Sequence, residues 1–148
     1  MQDLKGRTDD EFDASQREVN LMPSYKPDDH PDVSIYMMAS DAQAVITFAR
    51  EVFGATEAMR LARDDGSIMH AEIRIGDSVI MLSQGTDAYP AFPVWLHVYV
   101  HDVDKIYNDA LRYGAESVQV PVRKGDPDKR GAVRDSTGNI WWIATNAA

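Results

Sequence analysis

The sequence contains no cysteine in 148 residues, which excludes a disulfide framework, thiolate chemistry and cysteine-based zinc sites. It also lacks any apolar run of roughly 18 residues, the length needed to cross a bilayer. Its first residues do not have the basic start and apolar middle of a signal peptide. We therefore expect a cytoplasmic protein that makes no contact with a membrane.

Basic residues are scarce, since 15 Lys and Arg stand against 24 Asp and Glu and give a formal net charge of −9. A surface that binds nucleic acid needs clustered basic side chains, so the sequence predicts no nucleic-acid partner. Residues 1–32 hold nine of the acidic and four of the basic side chains. The remainder is only mildly acidic, so net charge alone does not predict a cationic ligand.

Residues 1–32 are a polar, acidic N-terminal arm by composition. A short, weakly amphipathic helix is predicted at Asp9–Asn20, and Pro23, Pro27 and Pro31 interrupt any periodicity after it. Such a composition is typical of a solvated, partly disordered segment. The alternative is an arm that packs on a partner subunit.

A regular pattern of strands and helices follows the arm. Val33–Ala39 is predicted to be a strand, and Ser40 or Asp41 to cap a helix at Ala42–Val52, where apolar residues recur at helical spacing. A short strand is predicted next, at Thr56–Leu61.

The stretch Ser67–Gln84 is predicted to be a β-hairpin, because Gly76-Asp77 between two apolar runs supplies the backbone angles of a tight turn. Counting outward from the turn places Arg74 opposite Val79, Glu72 opposite Met81 and His70 opposite Ser83. One face is then apolar, while the other carries a histidine, a glutamate and an arginine. A dry core does not accept such groups without partners, so this second face should line water or a bound ligand.

The second half of the chain repeats this order of elements. The expected elements are a strand at Val94–Val100, a helix at Val103–Tyr113, a strand at Ser117–Val122, and a hairpin over Ala132–Asp135 and Asn139–Thr145. The offset between Asp41 and Asp102 is 61 residues, and the offset between Gly54 and Gly114 is 60. This period indicates an internal duplication. We predict an α+β domain at 33–148 that contains two tandem βαβββ modules, at 33–84 and 94–146.

Several short stretches carry a resemblance to a known family. They are Val52–Ala55, Met69–Glu72, Ile75–Ser78, Leu96–Val100, Asp102–Asp104, and Arg134-Asp135 with Gly138 and Trp142. Together they resemble the vicinal oxygen chelate superfamily, which contains glyoxalase I, extradiol dioxygenases, fosfomycin-modifying enzymes and bleomycin-resistance proteins. The resemblance covers about residues 33–145 and is closest to the PhnB-like branch.

This resemblance implies that the modules form a curved mixed-sheet cup that binds a ligand. Members of the family commonly build the cup from two chains, so we expect a homodimer. Metal-dependent members hold their ion on the first and last strands of each module, here at Ser34, Met81, Trp95 or His97, and Trp142. At most one of these side chains is a credible ligand, so we predict no metal and no other cofactor.

Strand alternation assigns the side chains that line the cup. The predicted ligand-binding residues are Tyr36, His70, Glu72, Met81, Trp95, His97, Tyr99, Arg134 and Trp142. An aromatic lining with a few polar groups is typical of small-molecule pockets. The alternative is that the large aromatic residues fill the core where the modules meet.

The sequence leaves the roles of the His70–Glu72 pair and of His97 open. His70 and Glu72 fit half of a displaced metal site with His97, a hydrogen-bonded acid–base pair, or a structural pair tied to a nearby arginine. His97 also fits a core histidine. The charged segment Arg123–Arg130 is predicted to be a solvated loop, with a lid over the cup as the alternative.

The sequence therefore predicts metal-independent binding and sequestration of a small aromatic or amphipathic molecule. The alternative is a metal-dependent, glyoxalase-like lyase, isomerase or dioxygenase with a non-standard site at His70, Glu72 and His97. A third hypothesis is a degenerate member of the family whose cavity is only core. No residue is assigned a catalytic role.

Overall fold

The computed structural model describes residues 24–147. The chain divides into two units, residues 1–32 and 33–148. The helix predicted at Asp9–Asn20 lies outside the described residues. No helix within residues 24–147 has the length and apolar character needed to span a membrane.

In the described part of the first unit, two side chains meet the carboxylate of Asp32. The hydroxyl of Tyr25 donates a hydrogen bond to Oδ1, and Nζ of Lys26 lies 2.9 Å from the same oxygen. Lys26 also lies over the ring of Tyr25, 5.6 Å from its centroid. These contacts are exposed, so they contribute little to stability.

The second unit contains two four-stranded sheets and two helices in its described part. The elements are β1 Ile35–Ala39, α1 Ala42–Phe53, β2 Thr56–Ala62, β3 Ile68–Ile75, β4 Ser78–Gln84, β5 Trp95–Tyr99, α2 Val103–Arg112, β6 Glu116–Arg123, β7 Asp128–Arg134 and β8 Ile140–Asn146. The strand orders are β1-β4-β3-β2 and β5-β8-β7-β6. In each sheet the first and last strands of the module pair in parallel, and the other pairs are antiparallel. The predicted α+β fold of two βαβββ modules is confirmed.

Both helices begin at the predicted caps. Asp41 accepts a hydrogen bond from the backbone N–H of Ala44 at 3.0 Å, and Asp102 accepts one from Lys105 at 3.1 Å. Each carboxylate satisfies a backbone donor that has no partner within the helix. Gly54 ends α1 with a φ of 68°, a left-handed conformation that glycine adopts without strain.

The predicted register of the β3–β4 hairpin is also confirmed. Glu72 lies opposite Met81 and Arg74 opposite Val79. The apolar face of the hairpin, which includes Leu82, is buried in the core beneath α1. The polar face is therefore turned away from the helices.

One tryptophan joins the two modules. Trp141 on β8 is 0% exposed, and its indole ring lies 5.0 Å from the ring of Phe53 and 5.7 Å from that of Phe48, both on α1. Aromatic contacts at these distances add to the free energy of burial. The two modules consequently share one hydrophobic core.

The prediction of a solvated loop at Arg123–Arg130 is wrong over half of its length, at Arg123 and at Asp128–Arg130. Strand β6 continues to Arg123 and β7 already begins at Asp128, four residues before the strand predicted at Ala132–Asp135. Backbone pairing with β8, in which Lys129 lies opposite Thr145, holds the charged segment in the sheet. The lid alternative is wrong for the same residues.

Candidate functional site

The polar side of the first sheet, which we call the first-sheet face, carries Tyr36, His70, Glu72 and Met81. Tyr36 and Glu72 both lie opposite Met81, so the three residues cross adjacent strands. The ring of Tyr36 lies 5.7 Å from that of His70. Nε2 of His70 lies 3.2 Å from Oε1 of the buried Glu72. The structure brings these four predicted residues together, and the geometry fits either an acid–base pair or a structural pair.

The corresponding side of the second sheet, the second-sheet face, carries Trp95, His97, Tyr99 and Trp142. The first three alternate along β5 with the buried Leu96, and Trp142 lies opposite His97 on β8. The rings of Trp95 and Trp142 lie 5.7 Å apart, and those of His97 and Tyr99 4.8 Å apart. The result is a row of aromatic rings on one face of the sheet.

The row is open to solvent. Trp95 is 73% exposed, Tyr99 is 62% exposed, and Tyr36 on the first-sheet face is 50% exposed. The alternative that these residues fill the core is therefore wrong. That role belongs to Trp141, the neighbour of Trp142 on the opposite side of β8.

Arg134 lies at the end of the second-sheet face. It is opposite Ile140, on the same side of the sheet as Trp142. Its Nη1 atom is 3.5 Å from a carboxylate oxygen of Glu116, and the side chain is half exposed. This ion pair links β7 to β6 beside the aromatic row.

Sequence reasoning missed a charged cluster beside the aromatic row. Nε of Arg130 donates to Nε2 of His97 at 3.0 Å. The two terminal nitrogens of Arg130 donate to Asp126 at 2.9 Å and to Asp128 at 2.6 Å. One guanidinium thus joins the imidazole on β5 to the carboxylate of Asp128 at the start of β7 and to that of Asp126 in the loop before it.

The carboxylate of Asp128 is buried and accepts three hydrogen bonds. It accepts hydrogen bonds from the hydroxyl of Tyr99 at 2.8 Å and from Nδ2 of Asn146 at 2.7 Å, in addition to the bond from Arg130. The bond from Asn146, followed by that from Tyr99, lowers the pKa of Asp128. The hydrogen bond from Tyr99 to Asp128 also raises the pKa of the Tyr99 phenol, because the carboxylate holds the phenol proton.

The pKa of His97 is lowered from its ordinary value. Burial is the main cause, and the positive charge of Arg130 adds to it, while the charge of Asp128 opposes both. His97 is therefore a neutral imidazole at physiological pH.

The internal duplication contains the signal that would have found Arg130. Tyr36 and His97 occupy equivalent positions, since each is the residue of the first strand that lies opposite Met81 or Trp142 on the last strand of its module. Glu72 lies opposite Met81 and Ala132 lies opposite Trp142, so Arg130, two residues before Ala132, stands where the first module has His70. An aligned repeat would have predicted a polar, inward-facing residue at this position.

The side chains at the expected metal positions do not fit a divalent ion. Met81, Trp95 and Trp142 are poor ligands, and Nε2 of His97 accepts a hydrogen bond from Arg130. Ser34 precedes β1.

The non-standard trio of the alternative hypothesis does not assemble either. Within residues 24–147, no group of three or more His, Asp or Glu side chains is placed to hold a metal ion, and His70, Glu72 and His97 are all among these residues.

A groove of about 430 Å³ opens elsewhere in the second unit. Its lining residues are Asp41, Gln43, Ala44, Thr47, Phe48, Tyr113, Ala115 and Ser136. They come from α1, the end of α2 and the β7–β8 turn, and none belongs to the nine predicted ligand-binding residues. The nine predicted ligand-binding residues thus lie on the two open sheet faces and not in this groove.

Two βαβββ modules that share one core define a glyoxalase-type α+β fold. The chain belongs to the Glyoxalase/Bleomycin resistance protein/Dioxygenase superfamily, whose family model matches residues 29–143. The uncharacterized protein Rv0887c of Mycobacterium tuberculosis is 31% identical over 122 residues, which cover 75% of this chain and 72% of the relative.

Solved structures agree on the fold. TioX from Micromonospora sp. ML1 superposes with a TM-score of 0.67 and 22% identity, over 78% of this chain and 98% of TioX. TnmS3, an antibiotic binding protein from Streptomyces sp. CB03234, superposes with a TM-score of 0.62 and 16% identity, over 80% of this chain and 100% of TnmS3. At these identities the likeness shows the fold alone.

Proposed function

We propose that this protein binds a small aromatic or amphipathic molecule on the second-sheet face, without a metal ion. The observation that carries the proposal is the exposed aromatic row, in which Trp95 is 73% exposed and lies 5.7 Å from Trp142. Large exposed apolar patches mark binding surfaces, because burying them on a ligand or partner is favourable. Stacking on a planar ring is the contact that such a row supports best.

Polar groups beside the row give the ligand an orientation. His97 and Arg134 lie on the same face as the rings, one in its middle and one at its end. The fold of TnmS3, which is an antibiotic binding protein, supports a binding role by analogy. Sequestration, rather than turnover, is the activity that needs no catalytic residue.

We further propose that a second copy of the chain completes the cup. Each face leaves large side chains exposed, among them Tyr36 on the first sheet and Tyr99 on the second. In a dimer, a sheet face of one chain would cover a sheet face of the second copy and bury these exposed side chains. Sedimentation-velocity measurements on the full chain should show a dimer, and a monomer at all concentrations would contradict this part of the proposal.

The metal-dependent alternative is not favoured, because the expected ligand positions carry Met81 and Trp142. Metal analysis of protein purified without chelator tests it directly. A stoichiometric ion that is lost in both His70→Ala and Glu72→Ala would establish the alternative and overturn the metal-independent proposal. The cytoplasmic location, the PhnB-like placement and a role for residues 1–32 in packing on a partner stay predictions.

Quenching of tryptophan fluorescence by naphthalene and quinoline tests the binding proposal. Trp95→Ala removes one wall of the row, so we expect binding about two- to tenfold weaker, the effect of losing a contact worth about 0.5–1.5 kcal/mol. Tyr89→Ala is the matched control, because Tyr89 is an exposed aromatic residue outside the row. Absence of quenching by both compounds, or equal weakening in the two variants, would overturn the proposal.

A further inference from the structure

The hydrogen bond between Arg130 and His97 determines which imidazole nitrogen carries the proton. Nε of Arg130 lies 3.0 Å from Nε2 of His97. A guanidinium nitrogen only donates, so Nε2 must accept through its lone pair. A neutral imidazole then carries its proton on Nδ1. Within the described chain, this is the hydrogen bond that His97 makes, which leaves Nδ1–H available.

The guanidinium is held firmly enough to impose this tautomer. Its two terminal nitrogens bind Asp126 and Asp128, and Asp128 is buried and held in turn by Tyr99 and Asn146. Charge-assisted bonds of this kind are short and about twice as strong as neutral ones. Turning the guanidinium away from His97 would break both of them.

We infer that His97 offers Nδ1–H to the ligand and that Arg130 is a positioning residue that fixes this tautomer. The inference rests on the proposed function, because Trp95 and Trp142 supply the stacking surface on the same face. The hydroxyl of Tyr99 is committed to Asp128, so of these two neighbouring side chains the imidazole is the one that keeps a donor for the ligand. The ligand class is therefore a planar aromatic molecule with a hydrogen-bond acceptor, such as a ring nitrogen or a carbonyl oxygen, at its edge.

The tautomer is measured without any ligand. Long-range ¹H–¹⁵N spectra of the full chain with ¹⁵N-labelled histidine, assigned by comparison with His97→Phe, should show Nδ1 protonated and Nε2 unprotonated at neutral pH. Arg130→Met removes the donor, so both tautomers should become populated. Arg123→Met is the matched control, because Arg123 donates to the carbonyl of Pro127 at 3.1 Å and not to His97. A proton on Nε2 in the unaltered protein would overturn the inference, even if a variant fails to fold.

Three probes of nearly equal shape test the ligand class. Quinoline has a ring nitrogen that accepts, naphthalene has none, and N-methylquinolinium has a positive charge with the nitrogen blocked. The ratio of the naphthalene Kd to the quinoline Kd should fall by about two- to tenfold in His97→Phe, the effect of one neutral hydrogen bond. A ratio that is the same in the unaltered protein and in His97→Phe would overturn this ligand class. So would the finding that N-methylquinolinium binds most tightly of the three probes to both of these proteins.

Failure of the inference and failure of the proposed function are distinguishable. If none of the three probes binds, the proposed function falls and the ligand class falls with it, whereas the spectra still decide the tautomer. If naphthalene and quinoline bind but the ratio does not respond to His97, the proposed function stands and the role of His97 is wrong.

Discussion

Replacing Asp135 tests how the two modules are held together. Its buried carboxylate accepts five hydrogen bonds. Oδ1 accepts from the backbone N–H and the hydroxyl of Thr137 at 2.8 and 2.7 Å, and from the backbone N–H of Asn139 at 3.1 Å. Oδ2 accepts from Nδ2 of Asn139 at 3.1 Å and from Nε1 of Trp141 at 2.8 Å. The last bond fixes the indole that packs on α1.

Asp135→Asn keeps the shape of the side chain but replaces one acceptor with a donor. The oxygen of the new asparagine is best placed at the Oδ1 position, where it accepts from the same three donors. The NH₂ group of the asparagine then faces the indole N–H of Trp141, so that two donors meet. Asn139 cannot turn over freely to help, because its own oxygen accepts from the backbone of Val94 at 3.0 Å. A buried donor without a partner costs about 1–3 kcal/mol, and loss of the charge-assisted bonds raises the expected destabilisation to about 2–4 kcal/mol.

Urea unfolding followed by far-ultraviolet circular dichroism measures this change without depending on tryptophan emission. In a Trp141→Phe background the orphaned N–H is absent, so the penalty of Asp135→Asn should shrink by about 1–3 kcal/mol. Asp64→Asn, at an exposed turn position, is the control and should stay within about 0.5 kcal/mol of the unaltered protein. A similarly small effect of Asp135→Asn, or strict additivity with Trp141→Phe, would refute the reasoning.

Two further predictions concern the segment that joins β4 to β5 and the response to acid. A Cβ atom at Gly85 would lie 2.8 Å from the backbone nitrogen of Ala91 and 2.9 Å from its Cβ, so Gly85→Ala should destabilise the protein by about 1–3 kcal/mol in urea unfolding. Burial and the charge of Arg130 lower the pKa of His97 against the opposing charge of Asp128, so the unfolded chain takes up this proton first. Stability should therefore fall as pH drops below about 6.5, the ordinary pKa of histidine, and less steeply in His97→Phe. Parallel stability curves for the two proteins would show that His97 is not the group responsible.

Much of the fold could be predicted because it depends on local signals. Asp41 and Asp102 cap their helices, and a two-residue turn at Gly76 sets the register of the first hairpin, which in turn places Glu72 opposite Met81. Each signal acts over a few residues and can be read without knowing the rest of the structure. Their recurrence at a constant offset identified the two modules.

The charged start of β7 could not be predicted in this way. Asp128, Lys129 and Arg130 resemble a solvated loop, and strand alternation is hidden because these three neighbouring positions all carry charge. The segment becomes a strand because β8 supplies its backbone partners, and because Tyr99 on β5 and Asn146 on β8 donate hydrogen bonds to the buried carboxylate of Asp128. Both causes are long-range, so local sequence does not contain them. The site gained an arginine that pattern reading had assigned to solvent.

The same register explains why the two faces of a duplicated fold differ. In the first module, Met81 lies between Tyr36 and the buried carboxylate of Glu72. In the second, Trp142 lies between His97 and Ala132, so a large flat ring stands beside the smallest of side chains. The first arrangement leaves room for a polar pair and little flat surface, whereas the second spreads an indole across the sheet. This exchange of volume, and not a difference in backbone, makes the second-sheet face the flatter and more aromatic of the two.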